Sequence, residues 1–174
     1  MNSTSKGVSP TDKQFLQELG YMTVAFSSLD HNMNAVIWSL LETSIEGGAA
    51  LTNEIFSVPA KLRVIEKLST ELLSSQAHDE VVKLTREIEK INSDRNNYIH
   101  SLWAKSGEPP DLYLVLLNFK KKKDPYKEMQ IPTMPELLNL IERIHKSNMA
   151  LVKLITDKIQ PAHALRAQHM GRHT

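Results

Sequence analysis

The sequence contains no cysteine, few aromatic residues and no long hydrophobic run. Without cysteine, the chain cannot form a disulfide, a thiolate metal site or a cysteine nucleophile. No stretch approaches the roughly 20 apolar residues of a membrane-spanning helix. The N-terminal MNSTSKGVSPTDKQ also lacks the apolar core of a signal peptide. These absences predict a soluble, cytoplasmic protein that makes no membrane contact.

The sequence also has little net charge. A formal charge of +1 argues against the strongly basic field that is typical of general nucleic-acid binders. Positive charge is concentrated in a lysine run and in the segment that follows Ala164, which has no acidic residue. Either could contact phosphate, although a lysine run is more often a solvated tip and a histidine-rich chain end is more often frayed. The lysines of the run are Lys120, Lys121, Lys122 and Lys123.

What the sequence does contain is helical periodicity. With 174 residues, 41% of them hydrophobic, the chain can form one domain with its own core. Ser9 and Pro10 predict the start of a long first helix, at about residues 11–46. Its apolar residues alternate steps of four and three, which predicts a heptad seam packed along other helices. The seam comprises Phe15, Leu19, Met22, Phe26, Leu29, Met33, Val36 and Leu40.

The rest of the chain predicts three more helices and one hairpin. The pair Gly47-Gly48 is expected to end helix one and to begin a loop, after which Pro59 opens helix two, at about 59–75. Helix three is expected at about 78–105, and residues 112–131 predict a β-hairpin with the lysine run at its tip. Thr133 is expected to cap a last helix, at about 134–159, which Pro161 ends.

These elements predict an all-α fold: an antiparallel bundle of about four helices, with a small β-hairpin insertion before the last helix. Residues 1–159 would form the single domain, and residues 160–174 a flexible C-terminal tail.

The segment SDRNNYIHSLW, at the end of predicted helix three, carries the main functional signal. At 100° per residue, Arg95 lies about 20° from the centre of the apolar stripe that contains Ile88. Burying a guanidinium without an acceptor is costly. Arg95 therefore either forms a salt bridge, for example with Asp30 or Asp94, or faces something other than a dry core.

His100 points in another direction. It lies about 140° around the helix from Arg95 and about 7.5 Å farther along its axis, whereas Asn96 and His100 share a face. One helix cannot easily bring the arginine and the histidine to the same atom. Two copies that meet about a twofold axis can do so, because each arginine then reaches toward the partner's histidine. Such a cleft suits a phosphodiester, since arginine binds phosphate oxygens and imidazole exchanges protons near neutral pH.

The six residues RNNYIH, Arg95 to His100, fit the Arg-(Asn/Asp/His)-x-x-x-His signature of the HEPN superfamily, the higher eukaryotes and prokaryotes nucleotide-binding domain. The segment LGYMTVAFSSLDHNMNAVIWSLLE resembles the long first helix of prokaryotic HEPN-like proteins, with Asp30 at an often acidic position. RNNYIHSLW also resembles the common form in which a small residue and a tryptophan follow the histidine. The resemblance spans about residues 11–159 as a pattern, and the six-residue motif is its specific part.

This resemblance implies a metal-independent endoribonuclease of the toxin or phage-defence type, which needs no cofactor and forms its site at a homodimer interface. Arg95 would hold the scissile phosphate, His100 would perform acid–base chemistry, and Asn96 would orient RNA or the histidine. The implied partners are an RNA substrate and a cognate antitoxin or other defence protein. Leu102 replaces the tyrosine of the subtype that is paired with a nucleotidyltransferase, which argues against that subtype. The remaining supporting or RNA-binding candidates are Asp30, Asn97, Trp103, Lys120, Lys121, Lys122 and Lys123.

Two alternatives remain open. A non-catalytic HEPN-like helical dimer could bind RNA, a nucleotide or a protein partner, and a plain helical interaction protein could use Arg95 only in a salt bridge. A metal enzyme is disfavoured, because the sequence places no His-x-x-x-His or Glu-x-x-His pair on a predicted helix.

Overall fold

Helices make up most of the chain, as an all-α fold requires. The computed structural model describes residues 13–100, 102–106, 113–117 and 133–170. Within these residues the α-helices are α1 (Lys13–Leu40), α2 (Ile45–Thr52), α3 (Val58–Leu72), α4 (Ser75–Ile99), α5 (Met134–Leu154) and α6 (Gln160–Met170). A π-helical turn, Ile155–Ile159, joins α5 to α6, and the strands are β1 (Leu102–Ser106) and β2 (Tyr113–Leu117).

The chain divides into two compact units, which we call unit 1 (Met1–Val24 and Ile91–Arg143) and unit 2 (Ala25–Lys90 and Ile144–Thr174). Each unit has buried apolar side chains of its own. Among the residues of unit 1 whose burial is described they are Phe15, Met22, Ile91, Tyr98, Leu137, Leu140 and Ile141. In unit 2 they include Leu29, Met33, Ile37, Leu40, Leu62, Ile65, Val81, Ile88, Ile144, Leu151 and Ile159.

The predicted heptad seam of the first helix is confirmed. Seven of its eight residues are buried, at no more than 6% exposure, and only Leu19 is half-buried. A seam with this spacing places one side chain per turn on the same face, so the helix buries that whole face.

Helix α1 ends at Leu40, earlier than the predicted residue 46. Glu42 takes a positive φ of 52°. Two hydrogen bonds close the helix end, from the Glu42 amide to Ser39 O (3.2 Å) and from the Thr43 amide to Trp38 O (3.1 Å). This is the Schellman arrangement, in which glycine is the usual residue at the left-handed position. Because a glutamate occupies that position, no glycine marks the break.

The predicted loop at Gly47-Gly48 is instead part of α2. Ser44 caps this helix by accepting a hydrogen bond from the Gly47 amide (3.2 Å). Gly48 is buried, and an added Cβ at this position would lie 2.4 Å from the Trp38 ring. Glycine is therefore required here for the close approach of an indole rather than for ending a helix.

Helix α3 begins as predicted, with Ser57 as the N-cap and Pro59 in the first turn. Helix α4 ends at Ile99 rather than at residue 105. The residues that follow form β1, which pairs antiparallel with β2 in a register that runs from Leu102 opposite Leu117 to Ser106 opposite Tyr113. This ladder differs from the predicted hairpin at 112–131, and most of that predicted segment, including the lysine run, lies outside the described residues.

Helix α5 begins at a reciprocal cap. Glu136 Oε2 accepts hydrogen bonds from the Thr133 amide (3.0 Å) and hydroxyl (2.8 Å), and the Glu136 amide donates back to Thr133 Oγ1 (3.4 Å). The threonine and the glutamate thus each satisfy a free amide, as in a capping box. The predicted cap at Thr133 is confirmed.

The prediction that Pro161 ends the last helix is wrong. Helix α5 continues through the π turn into α6, so residues 160–170 of the predicted tail are helical. At the π turn the Gln160 amide donates to Ile155 O, five residues back rather than four. Pro161 therefore lies within a continuous helical segment, directly after the wider turn. Residues 171–174 and the predicted Ser9 cap lie outside the described part of the chain.

Candidate functional site

The candidate site lies at the C-terminal end of α4, in unit 1. Arg95 and Asn96 are in its last turns, and His100 directly follows its last residue, Ile99. The His100 amide donates to Asn96 O (3.0 Å), so the helical hydrogen-bond pattern continues through the histidine. The imidazole of His100 is exposed, whereas Arg95 and Asn96 are half-buried. The two predicted catalytic side chains therefore keep the helical separation that the sequence indicates.

Asn96 contacts Arg95 through its side chain and His100 only through a regular helical backbone hydrogen bond. Its side-chain Oδ1 accepts a hydrogen bond from Arg95 Nη1 (3.0 Å), and its carbonyl accepts the bond from the His100 amide. An asparagine in this position orients the guanidinium without neutralising it, because an amide oxygen carries no formal charge. Arg95 thus has a neutral hydrogen-bond partner in the adjacent residue.

Asp94 and Asp30, the two carboxylates named above as examples of a salt-bridge partner for Arg95, each bind another cation. Asp94 Oδ2 accepts from Arg143 Nη1 of α5 at 2.6 Å. In unit 2, both oxygens of Asp30 accept from Lys61 Nζ, each at 2.8 Å. The first contact fixes the end of α4 to α5 within unit 1.

Tyr98 lies in the middle of the motif and is buried, at 8% exposure. Burial, and then the charges of Glu136 and Asp94, raise the pKa of its phenol to about 12. The phenol is therefore neutral at physiological pH, and it anchors the motif rather than exchanging protons.

The raised pKa of Tyr98 predicts a loss of stability at high pH. A phenol whose pKa is higher in the folded protein than in the unfolded chain favours folding below its unfolded pKa, near 10, and this contribution is lost as the pH rises to about 12. We expect denaturant midpoints to fall across this window. A Tyr98→Phe variant should show a flatter profile there, and its ultraviolet titration should lack one late-ionising phenol. Ionisation of all tyrosines near pH 10 would contradict this assignment.

Asp30, a predicted supporting residue, lies in unit 2 and is bound to Lys61 of α3. Lys61 is 6% exposed and is not among the predicted site residues. Its spacing could have revealed it, because Lys61 lies four residues before the buried Ile65 and so shares its helix face. A buried lysine requires an acceptor, and Asp30 supplies one.

The other predicted supporting residues lie farther along the chain. Asn97 is half-buried on α4, next to Asn96. Trp103 lies in β1, where its backbone is opposite Leu116. The lysine run at 120–123 lies outside the described residues.

Among the residues that the structure describes, no group of three or more His, Asp or Glu side chains is arranged to hold a metal ion. The described helices also include none that is long and apolar enough to span a membrane. No protein-family model, curated protein or solved structure matches the chain. The functional interpretation therefore rests on the chemistry of the α4 terminus.

Proposed function

We propose that the protein is a metal-independent endoribonuclease of the HEPN type, with a composite active site formed by two copies of the chain. The observation that carries this proposal is the arrangement at the end of α4. An exposed imidazole, His100, follows the helix, and Asn96 holds a cationic guanidinium, Arg95, in the turn before it. These two groups can supply the proton transfer and the charge stabilisation that cleavage of an RNA phosphodiester uses.

The composite site follows from the helical geometry. Arg95 and His100 diverge by about 140° around α4, so a single copy does not easily direct both groups at one phosphate. A twofold axis near this helix end would bring the arginine of one protomer toward the histidine of its partner. Residues 95–100 would then form half of each site.

The proposed reaction is a transesterification. One His100 accepts the proton of the ribose 2′-OH as the 2′ oxygen forms a bond to phosphorus, and the bond from phosphorus to the 5′ oxygen breaks. A water molecule relays this proton from the imidazolium to the leaving 5′ oxygen. Arg95 stabilises the negative charge that develops on the phosphoryl oxygens. The products would be a 2′,3′-cyclic phosphate and a 5′-hydroxyl.

Incubation of the purified protein with a mixed RNA pool tests the proposal. We expect fragments that carry 2′,3′-cyclic phosphate ends, in equal yield with and without EDTA. Matched DNA of the same sequences should remain intact, because DNA lacks the 2′ nucleophile. Loss of cleavage in EDTA, or fragments with 3′-hydroxyl ends, would contradict this chemistry.

Binding of RNA without cleavage would instead favour a HEPN-like dimer that recognises RNA. In that case the Arg95→Ala variant should bind RNA more weakly than the wild type. The His100→Ala variant should bind as tightly as the wild type if the histidine acts only in proton transfer.

A further inference from the structure

A pocket lies between α4 and the C-terminal part of α5, within unit 2. It has a volume of about 280 Å³. Its apolar wall consists of Val81 and Leu84 from α4 and Ala150 and Leu154 from α5. Small-molecule sites usually have volumes of about 300–1,000 Å³. A pocket near the lower end of this range suits a small metabolite.

Ala150 leaves the space of the pocket open. The other three residues of the apolar wall carry branched side chains, whereas Ala150 ends at its Cβ and is half-buried. Because Ala150 lines the pocket, a larger side chain at this position would fill part of its volume. The pocket therefore depends on a small residue in α5.

The pocket also borders the π turn Ile155–Ile159, which contributes Asp157 and Lys158 to its rim. Turns of this kind are rare and often occur at functional sites. Lys158 Nζ donates to Glu80 Oε1 of α4 at 3.1 Å, so a salt bridge joins the two helical walls. This salt bridge accounts for two of the four charged residues that line the pocket.

The other two charged residues of the rim, Lys153 and Asp157, are exposed and have no ion-pair partner in the part of the chain that the structure describes. Residues four apart on a regular α-helix are neighbours, and opposite charges at this spacing can pair. Here the π turn begins between them, at Ile155. Asp157 Oδ1 accepts a hydrogen bond from the uncharged hydroxyl of Thr156 (2.7 Å). The rim thus offers one cation and one anion next to an apolar wall.

From this arrangement we infer that the pocket binds a free amino acid with a large apolar side chain, such as leucine or phenylalanine. The ligand's carboxylate binds Lys153, and its ammonium group binds Asp157. The ligand's side chain lies against the apolar wall, which removes it from water. The site lies in unit 2, whereas Arg95 and His100 lie in unit 1, so the inference does not depend on ribonuclease activity.

The charges of the rim disfavour other small ligands. A phosphate ester would bring a second negative charge toward the carboxylates of Asp157 and Glu80. A monocarboxylate or an amine would leave one of the two unpaired rim charges without a partner. Only a molecule with both an anionic and a cationic group satisfies Lys153 and Asp157 together.

Titration of the protein with free amino acids, followed by proton–nitrogen NMR correlation spectra, tests the inference. Leucine and phenylalanine should produce saturable shifts in the amides of residues 80–84 and 150–158, whereas glycine and serine should produce none. Isocaproate lacks the ammonium group of leucine, and isoamylamine lacks its carboxylate. Each should bind at least about tenfold more weakly than leucine, because one charge-assisted hydrogen bond is lost. No saturable shift with leucine or phenylalanine, or equal affinity for leucine and both analogues, would overturn the inference.

Three variants locate the ligand in the pocket. Ala150→Phe should abolish leucine binding by filling the space. Lys153→Met and Asp157→Asn should each weaken leucine binding about tenfold. Lys153→Met should leave the affinity for isoamylamine unchanged, because that molecule has no carboxylate. Lys90→Met, at an exposed position of α4 outside the pocket, is the matched control and should bind leucine as the wild type does.

Thermal melts show whether each variant is folded. If Ala150→Phe does not fold, the two charge variants and the two leucine analogues still decide the question. Unchanged leucine affinity in both Lys153→Met and Asp157→Asn would contradict the proposed site, and so would an equal loss of affinity in Lys90→Met.

Discussion

Replacing His100 with alanine is expected to lower the rate of RNA cleavage by about 10² to 10⁴, because general acid–base catalysis contributes that factor. The fold should not change, since the imidazole is exposed and follows the last residue of α4. Initial cleavage rates on one defined RNA test the expected loss of activity, and thermal melts test whether the fold is unchanged. An exposed histidine on α5, His145, provides a matched control, and His145→Ala should retain full activity.

Mixing two inactive variants tests whether the site is shared between protomers. In a heterodimer of Arg95→Ala and His100→Ala chains, one composite site contains both an intact arginine and an intact histidine. Random exchange of protomers should therefore restore about a quarter of the wild-type activity, because half of the dimers carry one working site of two. A site contained within one chain would stay inactive after mixing, and this outcome would rule out the shared cleft.

The second large effect is expected at Gly48. The Gly48→Ala variant should lose about 1–3 kcal/mol of unfolding free energy, the usual cost of overpacking, because the new methyl group would lie 2.4 Å from Trp38 Cγ and Cδ1. The indole cannot move away freely. Its Nε1 donates to Thr52 Oγ1 (3.1 Å), and that hydroxyl donates to Gly48 O (3.0 Å). Chemical denaturation of the wild type and the variant, with a two-state fit, measures this difference in unfolding free energy.

Two controls show whether the clash with Trp38 causes the loss of stability. Gly20→Ala in α1 should be stabilising by about 0.5–1 kcal/mol, because alanine favours a helix and no atom lies within 4 Å of the new Cβ. In a Trp38→Ala background, Gly48→Ala should become nearly neutral, since the atoms that it would meet are gone. An equal cost of Gly48→Ala in both backgrounds would mean that the indole is not responsible.

The parts of the fold that could be predicted from sequence are those that depend on local periodicity. The α1 seam is buried because its residues recur at helical spacing, and Thr133 and Glu136 form their cap at the expected interval. Leu102 also falls at helical spacing from Ile88 and Ile99, yet it lies in β1. Its conformation follows from pairing with β2, a nonlocal contact that no short-range pattern contains.

The predicted helix ends were wrong for a similar reason. The sequence pattern predicts a helix break at Gly48, but the residue that makes glycine necessary is Trp38, on another helix. Glu42 takes a conformation that usually indicates glycine, so nothing in its chemistry marks the end of α1. Of the candidate site, the positions of Arg95 and His100 followed from the motif and the helical rotation. The bond between Arg95 and Asn96 and the pairing of Asp30 with Lys61 depend on side-chain conformation and tertiary packing.

The π turn before α6 also takes up an extra residue. It contains one residue more than an α-helical turn over about the same rotation, because the Gln160 amide donates to Ile155 O, five residues back instead of four. Deleting one residue from Ile155–Ile159 would therefore restore regular α-helix and leave the downstream face near its present orientation. His163 and Arg166 would still contact the carbonyls of Ser39 and Leu72. The same deletion inside α5 or α6, where the turns are regular, would rotate every later side chain by about 100°.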